Sequence, residues 1–380
     1  MKTPPHLLAR VKPLQARLKK AGLDGMIITN AVDIRYLTGF IGEDSWAYIP
    51  ATFDAAWVIS DGRFRTHIPQ EAPHARVIMR DVREMKDLKN KGQKTKRRPT
   101  MGEAVAADLF EQFEKVGLNP AHLSHANFER ARKEIGKSKV VPFDDGLLPQ
   151  RGTKDALELK SLKKAIAIQQ RAFLDLKAFV KPGMTELEVC AYLEYRMKCL
   201  GAEGPAFGTI VAVDGHASHN HAIPGKLKVK KDSSILIDWG AKVDGYKSDM
   251  TRVLNLGKPK PHIRRIYGIC LESMAACQAA IRPGAPLADA AKAGRDVIEK
   301  AGHTLDHGIG HGIGLDIHEY PGIGDQKDVV FKEGQVVTIE PGIYLGDLGG
   351  VRIENDYLVT KNGAKNLCDL PMDWESSLIG

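Results

Sequence analysis

Two kinds of hydrophobic spacing divide the chain. In the first 150 residues, short apolar runs alternate with amphipathic stretches. Leu7 to Ala21 carries apolar residues at helical spacing and stops at Gly22. Asp24 to Asn30 and Ala55 to Ser60 read as short buried strands, the second closed by Asp61 and Gly62. Thr100 to Val116 predicts another helix, stopped by Gly117. Helix and strand in alternation predict a small α/β domain at residues 1–150. It contains no cluster of chemistry-bearing side chains.

The turn-rich run from Pro149 to Asp155 marks a boundary near residue 150. A long helix is predicted from Ala156 to Val180, with Leu159, Leu162, Ile166, Phe173 and Leu176 near helical spacing. Residues 151–380 then contain a faint repeat. Lys181-Pro-Gly183 leads into a helix that ends at Gly201, and Arg282-Pro-Gly284 leads into one that ends at Gly302. Thr185 and Glu188 form a capping box for the first. Strands are predicted at Thr209–Val213, Ser234–Trp239, Met250–Leu254, Gln335–Glu340 and Val351–Val359. Short turns join several of them, so the second domain reads as α+β, with helices covering an antiparallel sheet.

Composition changes this picture little. A chain of 380 residues with 43% hydrophobic and 27% charged positions fits two globular domains. No apolar run approaches membrane-span length, and the start carries no secretory pattern, so a cytoplasmic protein is expected. The five cysteines have no CxxC spacing and read as reduced thiols. Much of the +8 net charge lies between Lys86 and Arg98. No aromatic residue interleaves with those charges, so the run reads as a solvated surface and no nucleic-acid partner is expected.

The chemistry lies in the second domain. Asp244-Gly245 predicts a two-residue hairpin turn. With that turn Val243 pairs Tyr246, Asp249 lies opposite Gly240, and Asp238 and Asp249 become diagonal neighbours on one face. From His307 to Tyr320 there are three histidines, His307, His311 and His318, among glycines that forbid a regular helix. Those glycines do not follow a strand of the dinucleotide-binding kind and read as room for close backbone approach. Glu340, before Pro341, and Glu354 each sit in an apolar strand, where a carboxylate needs partners. Structural ion pairs would need several cations, and only Arg352 is close in sequence. Asp238, Asp249, His311, Glu340 and Glu354 are instead a suitable ligand set for two divalent ions: oxygen donors with one imidazole.

These motifs resemble those of the creatinase/prolidase branch of the pita-bread metallopeptidases, peptidase family M24. The runs from Asp238 to Arg252, His307 to Pro321, Ile339 to Tyr344 and Gly349 to Glu354 are similar to the family's metal and histidine motifs in order and spacing. In the first domain, Asn30, Tyr36-Leu-Thr-Gly-Phe40 and Asp61-Gly-Arg-Phe64 look like the creatinase-type N-terminal domain. The resemblance implies a pita-bread catalytic domain with a curved antiparallel sheet. It also implies a homodimer in which the N-terminal domain reaches over the partner's site.

Carried over by motif, Asp238 and Asp249 bind one ion, Asp249 and Glu354 bridge, and His311 and Glu340 complete the second site. His221 and His318 face substrate, and His307 lines the pocket. Arg352 steadies the bridging acids, and Thr251 does the same for Asp249. His219 leaves open which histidine of the Ser218-His-Asn-His221 run faces substrate. The implied activity is hydrolysis of an N-terminal Xaa-Pro bond, as an Xaa-Pro aminopeptidase or dipeptidase. A hydroxide shared by two ions (Mn, Co, Fe or Zn, with Mn first) attacks, and Glu340 shuttles its proton. Gly322 stands where some dipeptidases carry Arg. The competing readings are a non-catalytic pita-bread binding module and another small-amide hydrolase on the same scaffold.

Overall fold

The computed structural model describes all residues except 1, 53–54, 87–93, 259 and 380. The chain divides into two compact units, residues 1–147 and 148–380.

In the first unit, the helix α1 (Pro5–Lys20) precedes the strand β1 (Gly25–Ile28) and α2 (Ala31–Thr38). The Asn30 side chain accepts from the Val32 amide, and Gly39 ends α2 at a positive φ of 78°. Next come β2 (Trp46–Pro50), β3 (Trp57–Ser60), α3 (Ile68–Glu71) and β4 (Arg76–Met79). A two-stranded ribbon, β5 (Arg83–Lys86) and β6 (Lys94–Arg97), follows. The unit closes with α4 (Met101–Asp108), β7 (Val116–Leu118), α5 (His125–Ile135) and β8 (Val140–Pro142). Six strands form one mixed sheet in the order β4-β3-β2-β1-β7-β8.

The helix expected over residues 100–116 is shorter. A capping box between Thr100 and Glu103 starts it, it ends at Asp108, and Gly117 lies inside a buried strand. Gly117 faces Met26 of the neighbouring parallel strand, and a Cβ there would lie 2.6 Å from the Met26 sulfur. Glycine is needed for that close approach, although in sequence it looks like a helix stop. Residues 87–93 of the basic run lie outside the described residues. On the described flanks, Arg83 pairs with Asp108 at 2.7 Å and Arg97 with Glu103 at 2.6 Å.

In the second unit, α6 (Leu147–Gly152) begins at the division and leads to α7 (Ala156–Phe179), capped by Asp155 and Glu158, and then to α8 (Glu186–Cys199). The strands β9 (Gly204–Pro205), β10 (Ile210–Val213), β11 (Ser234–Trp239), β12 (Ala241–Val243), β13 (Tyr246–Lys247) and β14 (Met250–Leu256) follow. Then come α9 (Pro261–Ala280), α10 (Leu287–Lys300), β15 (Gly310–Gly312), β16 (Glu319–Ile323), β17 (Val336–Ile339) and β18 (Gly342–Tyr344). β19 (Gly350–Arg352), β20 (Asn355–Thr360), β21 (Gly363–Asn366) and β22 (Leu378–Ile379) complete the chain. The larger sheets run β10-β11-β14-β22 and β16-β15-β17-β20-β21.

The repeat has a structural counterpart. Gly183 and Gly284 both take a positive φ, 95° and 83°, before α8 and α10. The Gly183 amide donates to Val229, and the Gly284 amide donates to Phe331. The Glu186 amide donates to Leu227, and the Leu287 amide donates to Val329. Each half thus ties its helix pair to a loop entering its own strands by the same bonds.

Strand alternation then aims the acids. Ile235, Ile237 and Trp239 pack with α7 and α8, and Trp239 stacks on Phe173 at 4.7 Å. Leu236 belongs to the other core, beside α9, so Asp238 is turned to that second face. Among the described residues no helix is long and apolar enough to cross a membrane.

Candidate metal centre

The hairpin keeps one register throughout. Val243 pairs Tyr246, Lys242 pairs Lys247, and Asp238 pairs Thr251. Asp249 therefore stands diagonal to Asp238 across β11 and β14. Gly240 lies between them because any larger residue is excluded there; a Cβ would sit 1.8 Å from the Ser248 carbonyl oxygen. Glu354 enters from the break between β19 and β20, where its amide donates to the Thr251 carbonyl at 3.2 Å. Glu340 follows β17, with its amide on the Ile309 carbonyl at 2.8 Å. His311 sits in β15, its amide held by the Thr338 hydroxyl at 3.1 Å.

These five side chains line one cavity of about 560 Å³, together with His221, His307, His318 and Arg352. Nε2 of His311 is 3.6 Å from Asp249 Oδ2 and 3.5 Å from Glu340 Oε1. Ligand atoms of Asp249, His311 and Glu354 all lie within 4.8 Å of one another. Those separations are too long for hydrogen bonds and leave room for a cation. Nδ1 of His311 lies 3.0 Å from the Gly312 carbonyl, which places the proton on Nδ1 and leaves Nε2 free as a donor atom. Burial pushes the His311 imidazole down to about 4, so the ring is neutral near pH 7.

The carboxylates share one pattern. Asp238 Oδ2 accepts from Arg352 at 2.5 Å, and Glu354 Oε2 accepts from the Thr251 hydroxyl at 2.8 Å. Asp238 Oδ1, Asp249 Oδ1 and Glu354 Oε1 are buried and have no hydrogen-bond partner among the described residues. A buried anionic oxygen without a partner is costly, and a divalent ion is the partner that suits several at once. Burial first, then neighbouring acids, raises Asp249 and Glu354 well above the usual carboxylate range. Burial raises Glu340 to about 8 against the opposing charge of Arg352. The donor set, oxygen donors with one imidazole, fits a pair of divalent ions of the Mn, Co, Fe or Zn kind.

Two holding contacts differ from those expected. Arg352 grips Asp238 directly, because its guanidinium reaches across to β11, and meets the expected bridging acid Glu354 only through the Thr251 hydroxyl. Thr251 holds Glu354, not Asp249; its side chain points across to the break after β19. His221 lines the cavity and His219 does not; the His219 ring lies edge-on to His216 at 5.3 Å.

Sequence reasoning missed two participants. Asp356 is fully buried, accepts the Asp249 amide at 3.2 Å, and is pushed up to about 8 by burial. Tyr344 joins Arg352 and His307 through its hydroxyl, at 2.8 and 2.9 Å. Asp356 has a signal in sequence, a second acid two residues beyond Glu354 in the same apolar run.

The profile of metallopeptidase family M24 matches residues 160–361, and that of the creatinase/prolidase N-terminal domain matches residues 10–151. An Xaa-Pro dipeptidase of Pyrococcus furiosus is 36% identical over 262 residues, 68% of this chain and 75% of its own. The solved structure of an Xaa-Pro dipeptidase from Bacillus anthracis has a TM-score of 0.86 at 29% identity, covering 97% of this chain and 99% of its own. An X-Pro aminopeptidase from Thermotoga maritima has a TM-score of 0.81 at 30% identity, covering 94% and 99%.

Proposed function

The chain belongs to metallopeptidase family M24, with a creatinase/prolidase-type N-terminal domain, and from that premise we propose that it hydrolyses the N-terminal Xaa-Pro bond of peptides. The observation that carries this reading is the set of partnerless carboxylate oxygens beside a neutral imidazole in one cavity.

In this reading Asp238, Asp249, His311, Glu340 and Glu354 hold two divalent ions. Such ions would lower the pKa of a water and polarise the scissile carbonyl. The chain's own groups do the rest. Glu340 takes the proton of the attacking water and delivers it to the leaving imide nitrogen. His221 and His318, on the cavity wall, stabilise the developing oxyanion. Arg352 fixes Asp238, and Thr251 fixes Glu354, so both present their free oxygens inward. Phe207, Ile210, Ile223, Pro224 and Ile317 give the cavity an apolar wall that suits a pyrrolidine ring and an uncharged first side chain. A cytoplasmic homodimer loaded with Mn belongs to the same reading.

The deciding experiment uses metal-reconstituted protein on Xaa-Pro, Xaa-Pro-Yaa-Zaa and Xaa-Ala-Yaa-Zaa. Release of the first residue only where proline follows supports the proposal. Equal rates on the alanine series would overturn it. Cleavage of dipeptides alone identifies a dipeptidase, and cleavage of the longer series an aminopeptidase.

A further inference from the structure

Beside the cavity, outside the donor set, lies a second cluster of buried charge. The side chains of Arg151, Lys154 and Glu319 are 3%, 0% and 1% exposed. Glu319 accepts from Arg151, from Lys154 Nζ at 2.9 Å and from the Asp316 amide at 3.0 Å. Arg151 also reaches Asp316 Oδ2 at 2.7 Å. Lys154 is anchored in turn, its amide on the Gly334 carbonyl at 2.9 Å, immediately before β17. The loop from Ile313 to Glu319 folds around this carboxylate so tightly that a Cβ on Gly314 would lie 2.6 Å from Glu319 Oε2.

A buried ion cluster is weak evidence for stability, because apolar residues of similar volume often serve as well. What charged groups add is direction. Here the direction concerns Ile317 and His318, which line the cavity immediately before Glu319. The His318 ring stands edge-on to His311 at 4.4 Å. We infer that Arg151 and Lys154 are positioning residues: through Glu319 they hold the loop that presents Ile317 and His318 to the substrate. The inference rests on the reading of His318 as a substrate-facing group. Among the described residues Lys154 Nζ bonds only the Arg151 carbonyl and Glu319, neither of them in the donor set, so its effect should leave metal uptake unchanged.

The test is a double-mutant cycle on full-length, metal-loaded protein, combining Lys154→Met with His318→Ala. Bound metal, thermal unfolding, kcat and KM are measured on an Xaa-Pro-Yaa-Zaa peptide. The expected result for Lys154→Met is a kcat about tenfold to a hundredfold lower, the cost of a misplaced catalytic group. Bound metal should stay unchanged and unfolding cooperative. In the His318→Ala background the same change should cost much less than in the parent, since only Ile317 is then left to misplace. If Lys154→Met does not fold, Arg151→Lys enters the same cycle, because it keeps the charge but loses the planar guanidinium whose Nη2 reaches both Asp316 and Glu319. Losses that multiply in the double variant, or an unaltered kcat in the single one, overturn the positioning role. Full activity in His318→Ala alone is a different failure, since it removes His318 from the reaction and the present inference with it.

Discussion

Loading the metal-free protein with Mn²⁺ at pH 7 should expel protons, and their number follows from the crowding of acids. Burial holds Glu340 up at about 8, so at pH 7 it is about nine-tenths protonated. Asp249 and Glu354 are raised well above the usual range by burial and then by neighbouring carboxylates, so they share further protons. His311 is already neutral at pH 7, because its pKa is down at about 4, and it has no proton to lose. About one proton, that of Glu340, should therefore leave as the ions enter, and any held by Asp249 and Glu354 add to it. The sign for stability follows the same shifts. A folded-state pKa above the unfolded value gives stability that is complete below the unfolded value and lost as pH rises through the folded one. For Glu340 that window runs from 4.5 to about 8, and its cost to the metal-free protein is at most about 5 kcal/mol. Bound ions should abolish that loss. The assay is calorimetric titration of Mn²⁺ in buffers of different ionisation enthalpy, with unfolding of metal-free protein at low and high pH. Heats independent of buffer, with equal metal-free stability on both sides of the window, would refute the reasoning.

Other outcomes follow from single contacts. Glu340→Gln should reduce turnover about a thousandfold or more if it carries the proton; near-normal kcat in a folded, metal-loaded variant removes it from the mechanism. Thr251→Val takes the hydroxyl from Glu354 and Arg352, and metal affinity, read by competition with a chelator, should fall about tenfold to a hundredfold. Gly240→Ala drives a methyl into the Ser248 carbonyl, so the hairpin must shift and metal content should drop even where unfolding stays cooperative. In the first unit, the Arg63 hydrogen bond holds Asp61 down at about 2. Asp61→Asn should cost about 1–2 kcal/mol in chemical denaturation at neutral pH. The difference from the parent should shrink as pH falls from the ordinary carboxylate value through about 2.

Local rules made much of this legible in the residues alone. The Asp244-Gly245 turn sets the pairing of the strands beside it, so the diagonal placement of Asp238 and Asp249 follows from one dipeptide and a period of two. The capping boxes at Asp155 and Thr185 start their helices where the sequence places them, because their bonds span three residues. What the tertiary structure decided are the contacts between residues far apart in the chain. Thr251 meets Glu354 at a separation of 103 positions, and Arg352 meets Asp238 at 114. Sequence offers a threonine and an arginine near the acids. Which acid each one holds depends on how β14, β19 and β11 pack, where a shift of one residue turns every side chain to the opposite face. Gly117 shows the same division, because its need for a neighbour's sulfur at close range exists only once β1 and β7 lie side by side.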